Sequence, residues 1–131
     1  MLAFLDGRLV GQAVVTSRWS QNGDGPLLKT AYVDAVSTSE DEQRRGIGSA
    51  VMTHLISSID DFDIACLKTD VVAFYERLGW REWYGPLGGR ADDRIIPTPE
   101  QTGLMLFRLA RTPAIDPTQL LTIEAHAARI W

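Results

Sequence analysis

The sequence predicts an α+β fold: a mixed, mostly antiparallel sheet flanked by helices, in one domain over residues 1–131. Three observations carry that expectation. Two runs of β-forming residues meet at Asp6-Gly7, and a third follows the polar break Gln21-Asn22-Gly23-Asp24-Gly25-Pro26. That third run, ending at Val33-Asp34-Ala35-Val36-Ser37-Thr38, then passes through a glycine-containing loop into residues with helical periodicity. The opening is therefore a meander that feeds one helix.

Taken in order, Ala3-Phe4-Leu5 and Leu9 to Val15 are strands of a hairpin, because Asp-Gly supplies the positive φ that tight hairpins need. Leu27 to Thr38 is the third antiparallel strand. Ser39-Glu40-Asp41-Glu42 is a polar turn, and Ile47, Ala50, Val51, Leu55 and Ile59 recur at helical spacing behind it. Asp60-Asp61-Phe62-Asp63 turns the chain, and Ile64-Ala65-Cys66-Leu67 is short and apolar enough for a buried strand. Asp70 to Leu78 reads as a helix, with Val71, Phe74, Tyr75 and Leu78 on one face and Gly79 as its stop. Arg81-Glu82-Trp83-Tyr84 begins another strand. Gly85 to Gly103 holds Gly-Pro, Gly-Gly and Pro-Thr-Pro with little periodicity and reads as a long loop. Leu104 to Leu109 is the last predicted strand. Asp116-Pro117-Thr118-Gln119, followed by Leu120, Leu121, Ile123, Ala127 and Ile130, reads as a capped helix ending at Trp131.

The composition restricts the function. With 45% hydrophobic residues the chain suits one compact core. No apolar run reaches transmembrane length and the first residues lack a signal peptide's pattern, so a cytoplasmic protein with no membrane partner is expected. A formal charge of −4 argues against nucleic acid and suits a polycationic small molecule. One cysteine, Cys66, excludes an internal disulfide, and His54 and His126 with no second cysteine make no metal site.

The strand-loop-helix junction is an anion site in physical terms. Backbone N–H groups converge where the helix begins, with the positive end of its dipole behind them. Gly46 and Gly48 let a phosphate approach the backbone, and Arg44 and Arg45 add forked donors that favour a diphosphate. A dinucleotide fingerprint fits less well, since Val51 stands where a third glycine would, and no Gly-Lys-Ser/Thr supports a P-loop.

Gln43-Arg44-Arg45-Gly46-Ile47-Gly48 resembles the Gln/Arg-x-x-Gly-x-Gly/Ala signature of the GNAT superfamily of N-acetyltransferases. Ala73-Phe74-Tyr75-Glu76-Arg77-Leu78-Gly79-Trp80 resembles that superfamily's second hallmark, in the right order. Within it, Leu78 to Pro86, Pro97-Thr98-Pro99-Glu100 with Gly103, and Trp131 look like the aminoglycoside 2′-N-acetyltransferases. The resemblance implies the three-layer α/β GNAT fold, here lacking the strand and two helices that precede the hairpin in the family. It implies acetyl-CoA as co-substrate, direct acetyl transfer to an amine of an aminoglycoside-like acceptor, and a homodimer.

The resemblance also assigns residues. Gln43, Arg44, Arg45, Gly46, Ile47, Gly48 and Ser49 would hold the pyrophosphate, and Val36 and Thr38 the pantetheine arm and thioester oxygen through their main chain. Tyr75 matches the general acid that protonates the departing thiolate. Asp34 matches the acidic residue that takes the amine proton through water and attracts the acceptor. The Trp131 carboxylate matches a group that contacts the acceptor. Trp83 and Glu100 are further candidates for the acceptor cleft, with core packing the alternative for Trp83. Three positions depart from the family pattern: Gln101 and Arg129 stand where aspartates are usual, and Lys68 replaces a small polar residue. Cys66, on an apolar strand with no histidine nearby, is read as structural rather than as an acetyl carrier. A shortened GNAT that binds coenzyme A without turnover, or serves as an interaction module, is the competing reading.

Overall fold

The computed structural model describes residues 2–5, 8–38, 46–125 and 130–131, with the backbone alone described for 2–5, 8–11, 35–38 and 47. Strands β1 (Leu2–Leu5), β2 (Arg8–Asn22) and β3 (Leu27–Thr38) form the expected antiparallel meander. The Asp6-Gly7 turn lies outside the described residues. β2 continues well past Val15 because β3 pairs with it as far as Gln21↔Leu27. Helix α1 (Ile47–Ser58) follows, then β4 (Ile64–Lys68), which pairs in parallel with β3.

Helix α2 (Val72–Glu76) is shorter than the expected span. Its approach is a turn in which Val71 N–H donates to Thr69 Oγ1 at 3.0 Å, and its exit winds through Gly79 at φ 99°. The left-handed glycine terminates the helix as the sequence indicated. Beyond it β5 (Arg81–Glu82) is two residues long, because Trp83 turns into the core instead of extending the strand.

Two expectations for the C-terminal half are overturned. The stretch read as a long loop contains a hairpin, β6 (Leu87–Ala91) and β7 (Arg94–Pro97), closed at Asp92 with φ 53°. Its glycines serve close approach, not chain reversal: a Cβ on Gly88 would meet the Ile96 carbonyl oxygen at 3.0 Å, and one on Gly89 the Ile130 side chain at 2.8 Å. After β8 (Leu104–Arg108), the stretch read as a capped helix forms β9 (Leu121–Glu124). The Asp116 carboxylate does accept from Thr118 N–H at 2.9 Å, but it closes a side-chain turn, with no helix behind it. Leu121, Thr122 and Ile123 instead fill a slot between β2 and β6. Residues 126–129, the rest of that expected helix, lie outside the described residues.

The described strands form one mixed sheet in the order β5-β8-β4-β3-β2-β9-β6-β7, with β1 also on β2. The β3-β4 and β6-β9 pairs are parallel and the others antiparallel. Alternation along the strands gives the sheet two buried faces. Ala31, Val33, Ala65, Leu67 and Met105 pack with Val51, Met52 and Leu55 of α1 and Tyr75 of α2. On the other face Tyr32, Cys66 and Leu104 share a cluster with Leu87, Leu121 and Ile123 from the far half of the sheet. Strands so distant in the order share a core only because the sheet curls over that face. His54, on α1, is exposed. No helix among the described residues is long and apolar enough to cross a membrane.

Candidate active site

The centre of the molecule is a gap between two parallel neighbours. The β3-β4 ladder holds at Thr30↔Ile64, Ala31↔Ala65 and Tyr32↔Cys66 and then stops, although both strands continue. A bulge on the other side of β3 accompanies the separation: the partners jump from Val14↔Asp34 to Gln12↔Ser37, so Ala35 and Val36 stand against Ala13 alone. An extra residue bends the bulged strand and raises its twist, which carries the end of β3 away from β4.

A cavity of about 600 Å³ occupies the gap. Its walls are Val33 and Asp34 on β3, Leu67 and Lys68 on β4, Thr69 to Val71 beyond it, Tyr75 on α2, and Tyr32 and Trp131 behind. Three residues singled out from the sequence, Asp34, Tyr75 and Trp131, thus share one space despite lying far apart in the chain. Strand alternation puts Asp34 on the side of Tyr32, while Tyr75 comes from the side covered by α1 and α2. The gap therefore gives access between the two faces of the sheet.

Tyr75 is held firmly. Its ring meets Phe74 edge-on at 4.9 Å and Trp80 at 6.1 Å, and its carbonyl accepts from Leu78 and Trp80 N–H at 2.9 and 3.1 Å. Burial pushes its pKa above the usual phenol value, so it stays protonated and can donate at neutral pH. No hydrogen bond from its hydroxyl occurs among the described residues. Cys66 is fully buried on the opposite face, and burial pushes its thiol to about 12, against a weaker opposing effect of Arg18. A thiol in that state is no nucleophile, as the apolar strand led one to expect.

At the entrance to α1, Gly46 sits at φ 75° as the N-cap, and no side chain of the described residues caps the helix. A Cβ on Gly46 would meet nothing within 4 Å among the described residues. The first-turn N–H groups of a 12-residue helix suit an anionic group such as a pyrophosphate. Gly48 and Ser49 lie in that first turn, as does the backbone of Ile47. Gln43, Arg44 and Arg45 lie outside the described residues. The backbones of Val36 and Thr38 run through the bulge and the end of β3, beside the gap.

Two candidates stand elsewhere. Trp83 is buried in the second core cluster, its indole N–H donating to the Pro86 carbonyl at 3.2 Å, and Glu100 is exposed in the turn after β7. Neither lines the cavity. Sequence reasoning noted Lys68 only as a departure from the family pattern and did not place Thr69, Asp70 and Val71 at the site. Their signal was positional, since they follow the apolar run that became β4. Among the described residues no group of three or more His, Cys, Asp or Glu side chains is arranged to hold a metal.

Comparisons with known proteins follow the same lines. The family described as Acetyltransferase (GNAT) family matches residues 1–80. An aminoglycoside 2′-N-acetyltransferase from Mycolicibacterium fortuitum is 26% identical over 131 residues, covering 95% of this chain and 67% of that protein. The ribosomal protein bS18-alanine N-acetyltransferase of Escherichia coli K12 is 30% identical over 86 residues, 56% of this chain and 58% of that one. The chain thus spans about two thirds of the first relative's length and less of the second's. Among solved structures, a GNAT family N-acetyltransferase (YhbS) from Escherichia coli in complex with CoA superposes with a TM-score of 0.67 at 18% identity, over 98% of this chain and 68% of that one. Eis1 from Mycobacterium abscessus gives 0.57 at 27% identity, over 60% of this chain and 21% of that one.

Proposed function

The chain belongs to the GNAT acetyltransferase family, and on that premise we propose that it moves the acetyl group of acetyl-CoA directly to a primary amine of a small cationic, aminoglycoside-like acceptor. The observation that carries this reading is the gap between β3 and β4, with Asp34 and Tyr75 on its walls and the open turn at Gly46 beyond the end of β3.

The chemistry needs a neutral amine, a polarised carbonyl and a proton for the leaving thiolate. Asp34 takes the ammonium proton through water. The amine nitrogen then bonds to the thioester carbonyl carbon as the carbon–sulfur bond breaks. Main-chain N–H groups at Val36 and Thr38 hold the carbonyl oxygen and the pantetheine arm. Tyr75 gives its hydroxyl proton to the thiolate and is reprotonated by the second proton that the attacking nitrogen sheds as the amide forms; because burial raises the phenol pKa, the transfer depends on its placement rather than on intrinsic acidity. The Gly46–Ser49 turn, with Gln43, Arg44 and Arg45, holds the pyrophosphate. Trp131 completes the wall on the acceptor side. A cytoplasmic homodimer is part of the proposal, and light scattering that finds only monomers would remove the dimer.

Calorimetric titration with acetyl-CoA tests the reading. Micromolar binding that is lost on replacing Arg44 and Arg45 by alanine, followed by thiol release with an amine panel headed by aminoglycosides, is the expected result. Coenzyme binding without thiol release for any amine would favour the competing reading of a coenzyme-binding module.

A further inference from the structure

Lys68 is one of two lysines in the chain. The other, Lys29, is paired with Asp61 at 3.6 Å and lies over the Phe62 ring. Lys68 has neither kind of partner among the described residues: no ion pair or hydrogen bond of its side chain occurs. It is exposed, yet its backbone is anchored. Lys68 pairs with Leu104 in the β4-β8 ladder, and Thr69 N–H donates to the Gly103 carbonyl at 2.9 Å.

The strand register says where this ammonium belongs. Tyr32 and Cys66 are partners in the last rung before the strands separate. Two residues further on each strand, on the same face as that rung, come Asp34 and Lys68. Both line the cavity, and Asp70 adds a second carboxylate to its wall. The face they share is the one away from α1, whose N-terminal turn serves the coenzyme. The cavity therefore has Asp34 on the β3 side and, across an opening that the backbone holds apart, Lys68 at the end of β4 with Asp70 just beyond it.

We propose that Lys68 is a specificity-determining residue: the acceptor is a cationic amine that also carries a carboxylate, its ammonium on the Asp34 side and its carboxylate on Lys68. This rests on the acetyl-transfer reading and narrows its acceptor. Within the cationic class, an acceptor bearing only ammonium groups leaves Lys68 without a counter-charge, whereas one that also carries a carboxylate pairs with it. An amino acid or peptide-like amine satisfies both walls, with a charge-assisted hydrogen bond at each.

Lysine and cadaverine, which differ only by the carboxylate, are the matched probes. Each is titrated calorimetrically into the CoA-saturated protein, so that binding is read whether or not transfer occurs. Lysine is expected to bind about tenfold more tightly, the scale of one charge-assisted contact. Lys68→Ala, an exposed substitution checked by circular dichroism, should bring the two ligands to about equal affinity, and Lys68→Glu should reverse their order. In protein carrying labelled lysine, the Lys68 side-chain resonance should move with lysine and the Lys29 resonance should stay still. Equal or tighter binding of cadaverine to the unaltered protein, a preference that survives Lys68→Ala, or no binding of either probe would overturn the proposal. Thiol release is measured separately: its absence with every amine removes the transfer reading, while the binding preference still decides the role of Lys68.

Discussion

Cys66 and Tyr75 show how burial alone divides two ionisable side chains into different roles. The thiol is sealed on the curled face of the sheet and the phenol opens on the gap, and both pKa values are raised by burial. In both, the folded state keeps its proton at a pH where the unfolded chain has lost it. The native state therefore binds more protons than the unfolded one above about pH 9, and stability must fall as pH rises. For Cys66, with a thiol moved from 9.0 to about 12, the loss between those limits is on the order of 4 kcal/mol. Denaturant midpoints recorded from pH 8 to 12 should fall with pH in the native protein and fall much less in Cys66→Ala. Tyr75→Phe has a different signature. It should lower turnover about a hundredfold, the scale of a lost general acid, while leaving the affinity for acetyl-CoA as it was. Turnover equal to that of the unaltered protein would take Tyr75 out of the mechanism.

The elements around the gap depend on backbone conformations that a side chain would spoil. Gly103 has φ 75°, and a Cβ there would run into the Thr69 carbonyl oxygen, at the point where β8 anchors the end of β4. Since backbone cannot swing aside, Gly103→Ala should cost more than about 2 kcal/mol in chemical denaturation. Gly46, at φ 75° with no described residue within 4 Å of an added Cβ, is the opposite case. Gly46→Ala should cost only about 1 kcal/mol of stability, the left-handed strain alone. Its larger effect should appear as weaker acetyl-CoA binding in calorimetry, because the new methyl group enters the space proposed for the pyrophosphate. The bulge at Ala35 and Val36 had no signature in the sequence: the β-forming run from Val33 to Thr38 reads the same with or without it. Pairing with β2 decides it, and that depends on residues more than twenty positions away.

At the scale of the molecule, β9 joins the two halves of the sheet. Its Ile123 is fully buried, and Arg90 ties β6 to it and to β2, with Nε donating to Thr122 Oγ1 at 3.0 Å and Nη2 to the Trp19 carbonyl at 2.6 Å. Ile123→Ala should cost about 2–5 kcal/mol. It should also make Cys66 react with a thiol reagent well before global unfolding, because the two share the cluster under the curl. Equal protection of Cys66 in both proteins would show that β9 does not seal that face.

The first 80 residues were legible because their signals are local. The β1-β2 pairing, the strand Leu27–Thr38, the helix entrance at Gly46 and the glycine stop at Gly79 each follow from a few adjacent residues. The two family motifs also lie in this stretch, and with them came Asp34 and Tyr75. The chain beyond it was not legible in the same way. Gly88 and Gly89 were needed for close approach to Ile96 and Ile130, and Leu121 to Glu124 were drawn into a strand by open edges on β2 and β6. By itself the sequence determined the mixed sheet and the glycine turn at the entrance to α1, since short-range backbone preference and hydrophobic period suffice for these, and its motifs singled out the residues proposed for acetyl transfer. Only the tertiary structure decided that β3 and β4 part after Tyr32 and Cys66, and that Trp131 and Lys68 meet Asp34 and Tyr75 in one cavity, because long-range pairing and packing set those distances.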